Sequence, residues 1–356
     1  MTLTQPATVD DVTVVIPTFN RAADLPRTLE ALRLQDIGLP TVLVVDNSST
    51  DNTSELVHAL MPVWHGRLHY RRKVPRGPAA ARNLGLAEAR TNLVLFLDSD
   101  VELPSNWLRL ALARVVADPG LAALGGFVLY AFDPSRVNAY GGDLGRMGLA
   151  WDACEGQALD PQTPAAKRVW INCSAMLARS AAVREVGAFD EDFFYGYEDS
   201  DLGWRLCLAG HHVAVFPELR VFHHVDPAVG TAHPQIVFHA CKNRLRSLLR
   251  NASAATLAPR LLAYAIYVAV DLLLRGPRRQ KWAALCWNLR RLRHTLALRA
   301  KTQATRRCSD AEIFHATSRR LFPPTSLGNR RRRPSQAQPR QTGPSRAATG
   351  QQDDRV

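Results

Sequence analysis

The chain has 356 residues, enough for one large domain or two smaller ones at roughly 100 to 200 residues each. Hydrophobic residues make up 46% and charged residues 22%, which excludes a collagen-like, wholly disordered or disulfide-dense miniature fold. The net charge of +13 is unevenly spread: 24 Lys/Arg stand against 27 Asp/Glu in residues 1–255, 9 against 1 in 256–300, and 12 against 4 in 301–356, so the three parts carry −3, +8 and +8. A nucleic-acid enzyme carries its positive field on the domain that does the chemistry. No nucleic acid is therefore expected as a partner, and an anionic membrane surface suits the basic C-terminal part better.

Residues 1–11 form an N-terminal extension without the basic start and apolar run of a secretory signal, so a cytoplasmic location is expected. VTVVIP (residues 12–17) and VLVVD (42–46) are β-branched, nearly continuous apolar runs, the mark of strands covered on both faces. Leu25, Leu29 and Leu32 recur at helical spacing between them, and further helices are expected at 53–60 and 79–89. A third buried strand, 93–97, ends in Asp98. This is an α/β nucleotide-binding pattern, in which ligands sit beyond the carboxyl ends of the strands. Beyond it the spacing predicts a helix at 107–116, a strand at 124–130, a mobile Gly-rich loop around Gly141, Gly142, Gly145 and Gly148, alternation at 171–177, helices at 181–186 and 199–209, and a strand at 213–216. The α/β domain is thus expected over 12–234, a helical, membrane-associating region over 235–327, and a disordered basic tail with Arg330–Arg333 over 328–356.

Six cysteines lie 19 or more residues apart with no CxxC pair, which points to mostly buried thiols rather than to a zinc ribbon or disulfide framework. The run Leu261–Leu274, at 1.5 Å per residue, reaches about 21 Å and is too short for a hydrocarbon core of about 30 Å. In Trp282–Arg299, the residues Trp282, Leu285, Leu289, Leu292 and Leu296 fall on one helical face among arginines, the pattern of a helix lying in a membrane interface or packed on its own domain.

The chemistry-bearing residues gather at strand ends. LVLFLDSD delivers Asp98 and Asp100, one residue apart, so an extended backbone points both carboxylates the same way, toward one Mg²⁺ or Mn²⁺ held by a diphosphate. Asp46 ends the second strand before NSSTDNT and suits either a nucleobase or ribose, or the capping of its own turn. Pro17, Thr18 and Asn20 lie at the same rim. In GPAAARNLG a helix start bears Arg82, a neighbour for phosphate or for a uracil or thymine carbonyl. Asp201 and Arg205 have the i, i+4 spacing of a helical ion pair.

Five stretches together carry a family resemblance: VVIPTFNR (14–21), VVDNSSTDNT (44–53), GPAAARNLG (77–85), FLDSD (96–100) and VGAFDEDFFYGYEDSDLGWRLCLAG (186–210). Over about residues 12–250 the chain resembles a family 2 glycosyltransferase of the GT-A fold, similar to bacterial rhamnosyl and galactofuranosyl transferases. The resemblance implies a Rossmann-like nucleotide-binding half with a mixed central sheet, a nucleotide-diphosphate sugar donor, a divalent cation and an inverting displacement. UDP- or dTDP-sugars are the expected donors, and a hydroxyl of a lipid-linked or polysaccharide precursor is the expected acceptor. It also implies Asp98 and Asp100 as nucleotide- and metal-binding acids, Asp199 or Glu198 as general base, and His223 of VFHHV as a third metal ligand. Gly141, Gly142 and Trp151 belong either to an acceptor loop or to ordinary packing. An aspartate-nucleophile phosphatase fails, because Glu102 stands where its motif needs Thr or Val. A catalytically inactive nucleotide-sugar binder is the alternative.

Overall fold

In the computed structural model, which describes residues 7–73, 76–145, 148–194, 196–225, 234–274 and 277–317, strand and helix alternate through the first hundred residues. β1 (Val12–Thr18), β2 (Thr41–Asp46), β3 (Leu68–Arg72) and β4 (Leu93–Leu97) are connected by α1 (Leu25–Arg33), α2 (Thr53–Leu60) and α3 (Pro78–Glu88). There follow β5 (Val101–Glu102), α4 (Trp107–Ala117), β6 (Leu121–Tyr130), β7 (Asp133–Tyr140), β8 (Gly142–Leu144), β9 (Ala150–Asp152), β10 (Ala166–Lys167), β11 (Ala175–Arg179), α5 (Ser180–Glu185), α6 (Glu198–Leu208) and β12 (His212–His223). The remainder is helical: α7 (Pro234–Asn251), α8 (Ala254–Leu274), α9 (Arg278–Arg290), α10 (Leu292–Ala304) and α11 (Asp310–Thr317).

The main sheet runs β10-β12-β6-β11-β4-β1-β2-β3. β3, β2, β1 and β4 are mutually parallel, β11 is antiparallel to both β4 and β6, and β12 is parallel to β6. The expected α/β GT-A-like fold with a mixed sheet is what forms. Every residue of β1 and β4 is buried, as continuous apolar runs with helices on both faces require. Thr18 stands beside Asp46 in register, so the strand ends open on one rim.

Several elements differ from the sequence reading. β12 continues to His223 instead of ending at Phe216: a register shift between Val215 and Arg220 interrupts its pairing with β6, and the strand resumes beyond it. Around Gly141–Gly148, the expected mobile loop, β8 and β9 form an antiparallel pair. Residues 171–174 are not strand; the alternation there belongs to β11, which starts at Ala175. The expected single amphipathic helix is two, α9 and α10, parted at Arg291. Among the six cysteines only Cys173 is buried, Cys286 is exposed, and all are free thiols. Residues 1–6 and the expected basic tail, 328–356, lie outside the described residues.

The C-terminal helices join the α/β half through buried ions as well as an apolar seam in which Trp204 and Leu208 meet Leu248, Ala252, Ile313 and Phe314. Asp190 receives Arg246 at 2.8 and 3.1 Å and Arg250 at 3.2 Å, while Asp201 on α6 pairs with Arg205 at 2.8 Å, the expected i, i+4 pair, and accepts from Asn251 at 2.8 Å. Arg246 donates onward to Thr295 and Arg250 to Thr302. The inward positions of α9 and α10 are accordingly polar: Lys281, Asn288, Thr295 and Thr302 are buried. Burial works to raise the Asp190 carboxyl, but hydrogen bonding from Arg246 and the charges of Arg246 and Arg250 outweigh it and hold it below its ordinary 3.8.

Removing one partner of such a pair leaves an uncompensated buried charge. Arg246→Met should therefore cost about 3–5 kcal/mol of unfolding free energy in urea at neutral pH. Because the Asp190 pKa is depressed on folding, its contribution is complete above the ordinary carboxylate pKa and lost as pH falls through the folded value, so the gap between variant and parent should close in acid. A loss under about 1 kcal/mol, typical of surface pairs, would show that the cluster does not hold the helices.

Candidate active site

Three topological facts build the site. β4 hands over at Leu97 to Asp98, whose backbone N–H donates to the Ser174 carbonyl at 3.2 Å. Two residues later β5 pairs antiparallel with the end of β12, setting His223 opposite Val101, and the His224 N–H donates to the Asp100 carbonyl at 2.9 Å. The extension of β12 past its bulge is thus what carries His223 to the acids. Asp98, Asp100 and His223 each offer a ligand atom, all within 4.8 Å of one another. Two carboxylate oxygens and an imidazole nitrogen form a donor set that fits Mn²⁺ or Mg²⁺.

Each member of this cluster is oriented by a neighbour. His223 Nδ1 lies 3.1 Å from Asn138 Oδ1, which makes Nδ1 the proton-bearing nitrogen and turns Nε2 toward Asp100 at 3.3 Å. Asp100 also meets Arg21 at 3.3 Å. Burial acts to raise its carboxyl, but the His223 hydrogen bond and the charges of His223 and Arg21 overcome it and hold Asp100 low. His223 is the converse case: burial opposes its proton, and Asp100 and Asp98 raise its pKa on balance. Asp98 accepts from Arg82 at 2.8 Å and from the Ser174 hydroxyl at 3.3 Å.

Arg82, 3% exposed, lies between the acids of β4 and those of α6, with its other arm on Glu198 at 2.9 Å. Its guanidinium is turned to carboxylates here, whereas the sequence suggested a phosphate or base carbonyl. The pairing separates the roles of the two α6 acids. Glu198 is held in an ion pair. Asp199 accepts only the Ser200 N–H, at 2.7 Å, among the described residues, and burial, followed by the charges of Glu198 and Asp152 and opposed by Arg82, raises its pKa well above the ordinary value. A carboxylate that welcomes a proton and has room for one is suited to act as base. Tyr197, immediately before Glu198, has φ +72°, a left-handed conformation costly for a non-glycine residue. Arg244 Nε and the Ala150 carbonyl hold its hydroxyl at 3.0 and 3.2 Å.

At the other strand ends, Asp46 is fully buried: one oxygen accepts from the Ser49 N–H and hydroxyl at 2.8 and 2.7 Å, the other from Tyr70 at 2.5 Å. It shapes its own turn, the second of the two roles open to it. Asn20 (φ +52°) receives the Thr50 N–H at 2.8 Å and so stitches the β1 loop to the β2 loop. Thr18 is buried with its hydroxyl unpartnered, and Pro17 lies beside Val45 within the sheet.

Sequence reasoning missed Arg21, Asn138, Ser174, Asn172 and Asp152. Arg21 lay inside a quoted motif. The others belong to no local pattern and are brought in by long-range pairing. Asp152, on β9, accepts from Asn172 at 2.6 Å; burial pushes its carboxyl up to about 6 against that hydrogen bond and the charge of His223.

Residues 13–147 match the family model described as Glycosyl transferase family 2. Over 219 residues the chain is 36% identical to the pre-mycofactocin glycosyltransferase of Mycobacterium tuberculosis, covering 60% of this chain and 42% of that protein. The chain spans about half the length of the curated relatives it matches. Among solved structures it is similar to GalNAc-T7 with UDP, GalNAc and Mn²⁺ (TM-score 0.56, 17% identity, 67% of this chain and 47% of that one). It is also similar to the mannosyltransferase PcManGT of Pyrobaculum calidifontis with GDP-Man and Mn²⁺ (TM-score 0.51, 19% identity, 85% and 87%). At such identities the structures speak for the fold alone. The likeness holds for the family and not for rhamnosyl or galactofuranosyl transferases in particular, since the named sequence relative is neither. Residues 13–147 thus match the family 2 glycosyltransferase model within a GT-A-like fold.

Proposed function

We propose that the protein is an inverting, divalent-cation-assisted glycosyltransferase that moves one sugar from a nucleotide-diphosphate sugar to a hydroxyl of a lipid-linked or polysaccharide acceptor of the cell envelope. The observation that carries this reading is the joining of Asp98, Asp100 and His223 to the α6 acids through the single buried guanidinium of Arg82. Mg²⁺ or Mn²⁺ held by Asp98, Asp100 and His223 would neutralise charge on the diphosphate leaving group. Asp199 takes the proton from the attacking hydroxyl as its oxygen bonds to the anomeric carbon and the bond to the diphosphate breaks. Glu198, paired with Arg82, keeps the guanidinium in place. The rim of Pro17, Thr18 and Asn20, with the turn that Asp46 shapes, receives the nucleoside. The proposed donor is a UDP- or dTDP-sugar; UDP occupies GalNAc-T7 and GDP-Man occupies PcManGT.

A membrane surface is the proposed place of work. No helix among the described residues is long and apolar enough to cross a membrane. Yet α8 exposes Leu262 (66%), Ile266 (58%) and Val270 (47%), α9 exposes Trp282 (58%) and Leu289 (70%), and α10 exposes Leu296 (46%). Exposed Arg279, Arg290 and Arg293 accompany them. Helices with apolar faces outward, those of α9 and α10 backed by polar inward faces and flanked by arginines, fit an anionic interface.

Mutation of even outer-shell partners of a metal costs about 10–100-fold in affinity, so Asp100→Asn should weaken Mn²⁺ binding by about 100-fold or more in calorimetry and abolish nucleotide-sugar hydrolysis. Unaltered Mn²⁺ affinity would remove the cluster from the reaction. Asp199→Asn should retain nucleotide binding while transfer falls about 10²–10⁴-fold. Since a base works deprotonated and the Asp199 pKa is raised, parent activity should decline on the acid side at a pH above the ordinary carboxylate range. An acid limb at about pH 4 or below, or wild-type transfer by the variant, would move the role elsewhere. In flotation with phosphatidylglycerol vesicles, a Trp282→Glu/Leu289→Glu/Leu296→Glu variant should lose binding that the parent shows and that salt weakens; equal flotation would refute the membrane face.

A further inference from the structure

The β8–β9 pair presents one acid that the reaction as described does not use. Asp152 closes β9 directly opposite Gly142 of β8. Gly142 is pressed against Trp170: its N–H donates to the Trp170 carbonyl at 2.9 Å, and a Cβ there would lie 1.7 Å from the indole ring. On its other side Trp170 is wedged on α6, where a Cβ at Gly203 would come within 2.4 Å of the Trp170 Cβ. Two glycines therefore seat one tryptophan, Gly142 against its ring and Gly203 against its Cβ, so Asp152 is fixed with respect to the helix that begins with Glu198 and Asp199. The surroundings confirm that closeness, because the charge of Asp152 acts on Asp199 and that of His223 acts on Asp152.

Asn172, two residues past the wedged Trp170, holds one Asp152 oxygen at 2.6 Å. Asp152 accepts no other side-chain hydrogen bond among the described residues and is only half-buried, while Asn172 Oδ1 is buried without a partner among them. A half-exposed carboxylate between a base and a metal-ligand histidine has lone pairs left to accept a further hydrogen bond. An acceptor hydroxyl can supply it.

We propose that Asp152, oriented by Asn172, accepts a hydrogen bond from a second hydroxyl of the acceptor, next to the one Asp199 deprotonates, and so selects polyhydroxylated acceptors such as sugars and polyols over simple alcohols. This rests on the glycosyl-transfer reading and specifies its acceptor class. Asp152 is a substrate-positioning residue; it neither takes the transferred proton nor holds the cation.

The test uses the full chain with Mn²⁺ and a panel of UDP-, dTDP- and GDP-sugars, with glycerol or 1-propanol at equal hydroxyl concentration as probe acceptors. A hydrogen bond to a charged group corresponds to a preference of about 10- to 100-fold. The parent should glycosylate glycerol over 1-propanol by that margin. Asp152→Asn should lower the ratio of glycerol transfer to donor hydrolysis by about tenfold or more, mainly through a raised KM for glycerol, and Asn172→Ala should shift it in the same direction by less. Equal use of both alcohols by the parent, or an unchanged ratio in both variants, overturns the proposal. If Asp152→Asn does not fold, judged by near-ultraviolet circular dichroism, the Asn172→Ala ratio decides. Failure of the parent to turn over any nucleotide sugar is a distinct result, which removes the transfer reading itself.

Discussion

The structure depends on how one buried guanidinium holds apart carboxylates that would otherwise repel. Asp98, Asp100, Asp152, Glu198 and Asp199 gather around the positive charges of Arg82, Arg21 and His223. Arg82 serves two acids at once with a planar fork, a geometry lysine cannot reproduce. The effects of this crowding differ by position. Asp100, with His223 and Arg21 at hand, is held low, whereas Asp199, facing Glu198 and Asp152, is pushed up. The acids on the β4 side are what a divalent cation would balance, that cation in turn meeting a diphosphate, and the raised carboxyl on the α6 side is what an incoming hydroxyl would meet. One cluster thus yields an acid pair suited to binding charge and an acid suited to taking a proton.

Topology decides which side each acid occupies. The parallel strands β1, β2 and β4 bring their carboxyl ends to one rim, which is the generic consequence of strand–helix–strand winding. The antiparallel members do something more specific. β5 catches the end of β12 and with it His223, β7 contributes Asn138 to fix the imidazole, and β9 carries Asp152, bonded to Asn172. The first half of the sheet is built from local alternation, and the second half from pairings between residues far apart in the chain.

This division explains what the sequence could disclose. Strands 12–17, 42–46 and 93–97, the helices between them, and Asp98 and Asp100 stand in short local patterns, whereas Glu198 and Asp199 were picked out through the family resemblance. His223 was readable only through its family context, because nothing in VFHHV says that a bulge lets the strand run on to meet β5. Asp152, Asn138 and Asn172 carry no pattern at all. Gly142 was misread for a physical reason: glycine signals backbone freedom in a sequence, but here it signals the opposite, a close approach of Trp170 that no side chain would permit. The apolar stripe of Trp282, Leu289 and Leu296 was visible as periodicity, but periodicity does not say whether a stripe faces the protein or the outside. The burial of Lys281, Asn288, Thr295 and Thr302 answers that, and those residues look like an ordinary solvated face until Arg246 and Arg250 are seen bonded to two of them.

The ionic cluster then takes on a role beyond stability. α7 supports the whole acidic segment from behind: Lys242 bonds the Asp192 carbonyl, Asn243 the Gly196 carbonyl, Arg244 the Tyr197 hydroxyl, and Arg246 and Arg250 grip Asp190 and Asp201. The strained turn that aims Glu198 and Asp199 is therefore anchored to the same helix on which α9 and α10 rest. Had those contacts been apolar, the inward faces of α9 and α10 would have taken their leucines, and the outward faces would have been polar. Because buried charges demand polar partners, the leucines and Trp282 are left facing outward. On the reading proposed above, the requirement that steadies the base is the same one that gives the C-terminal helices their greasy, arginine-flanked surface. Under that reading the layer that would meet lipid and the acid that would activate a lipid-borne hydroxyl move as one body.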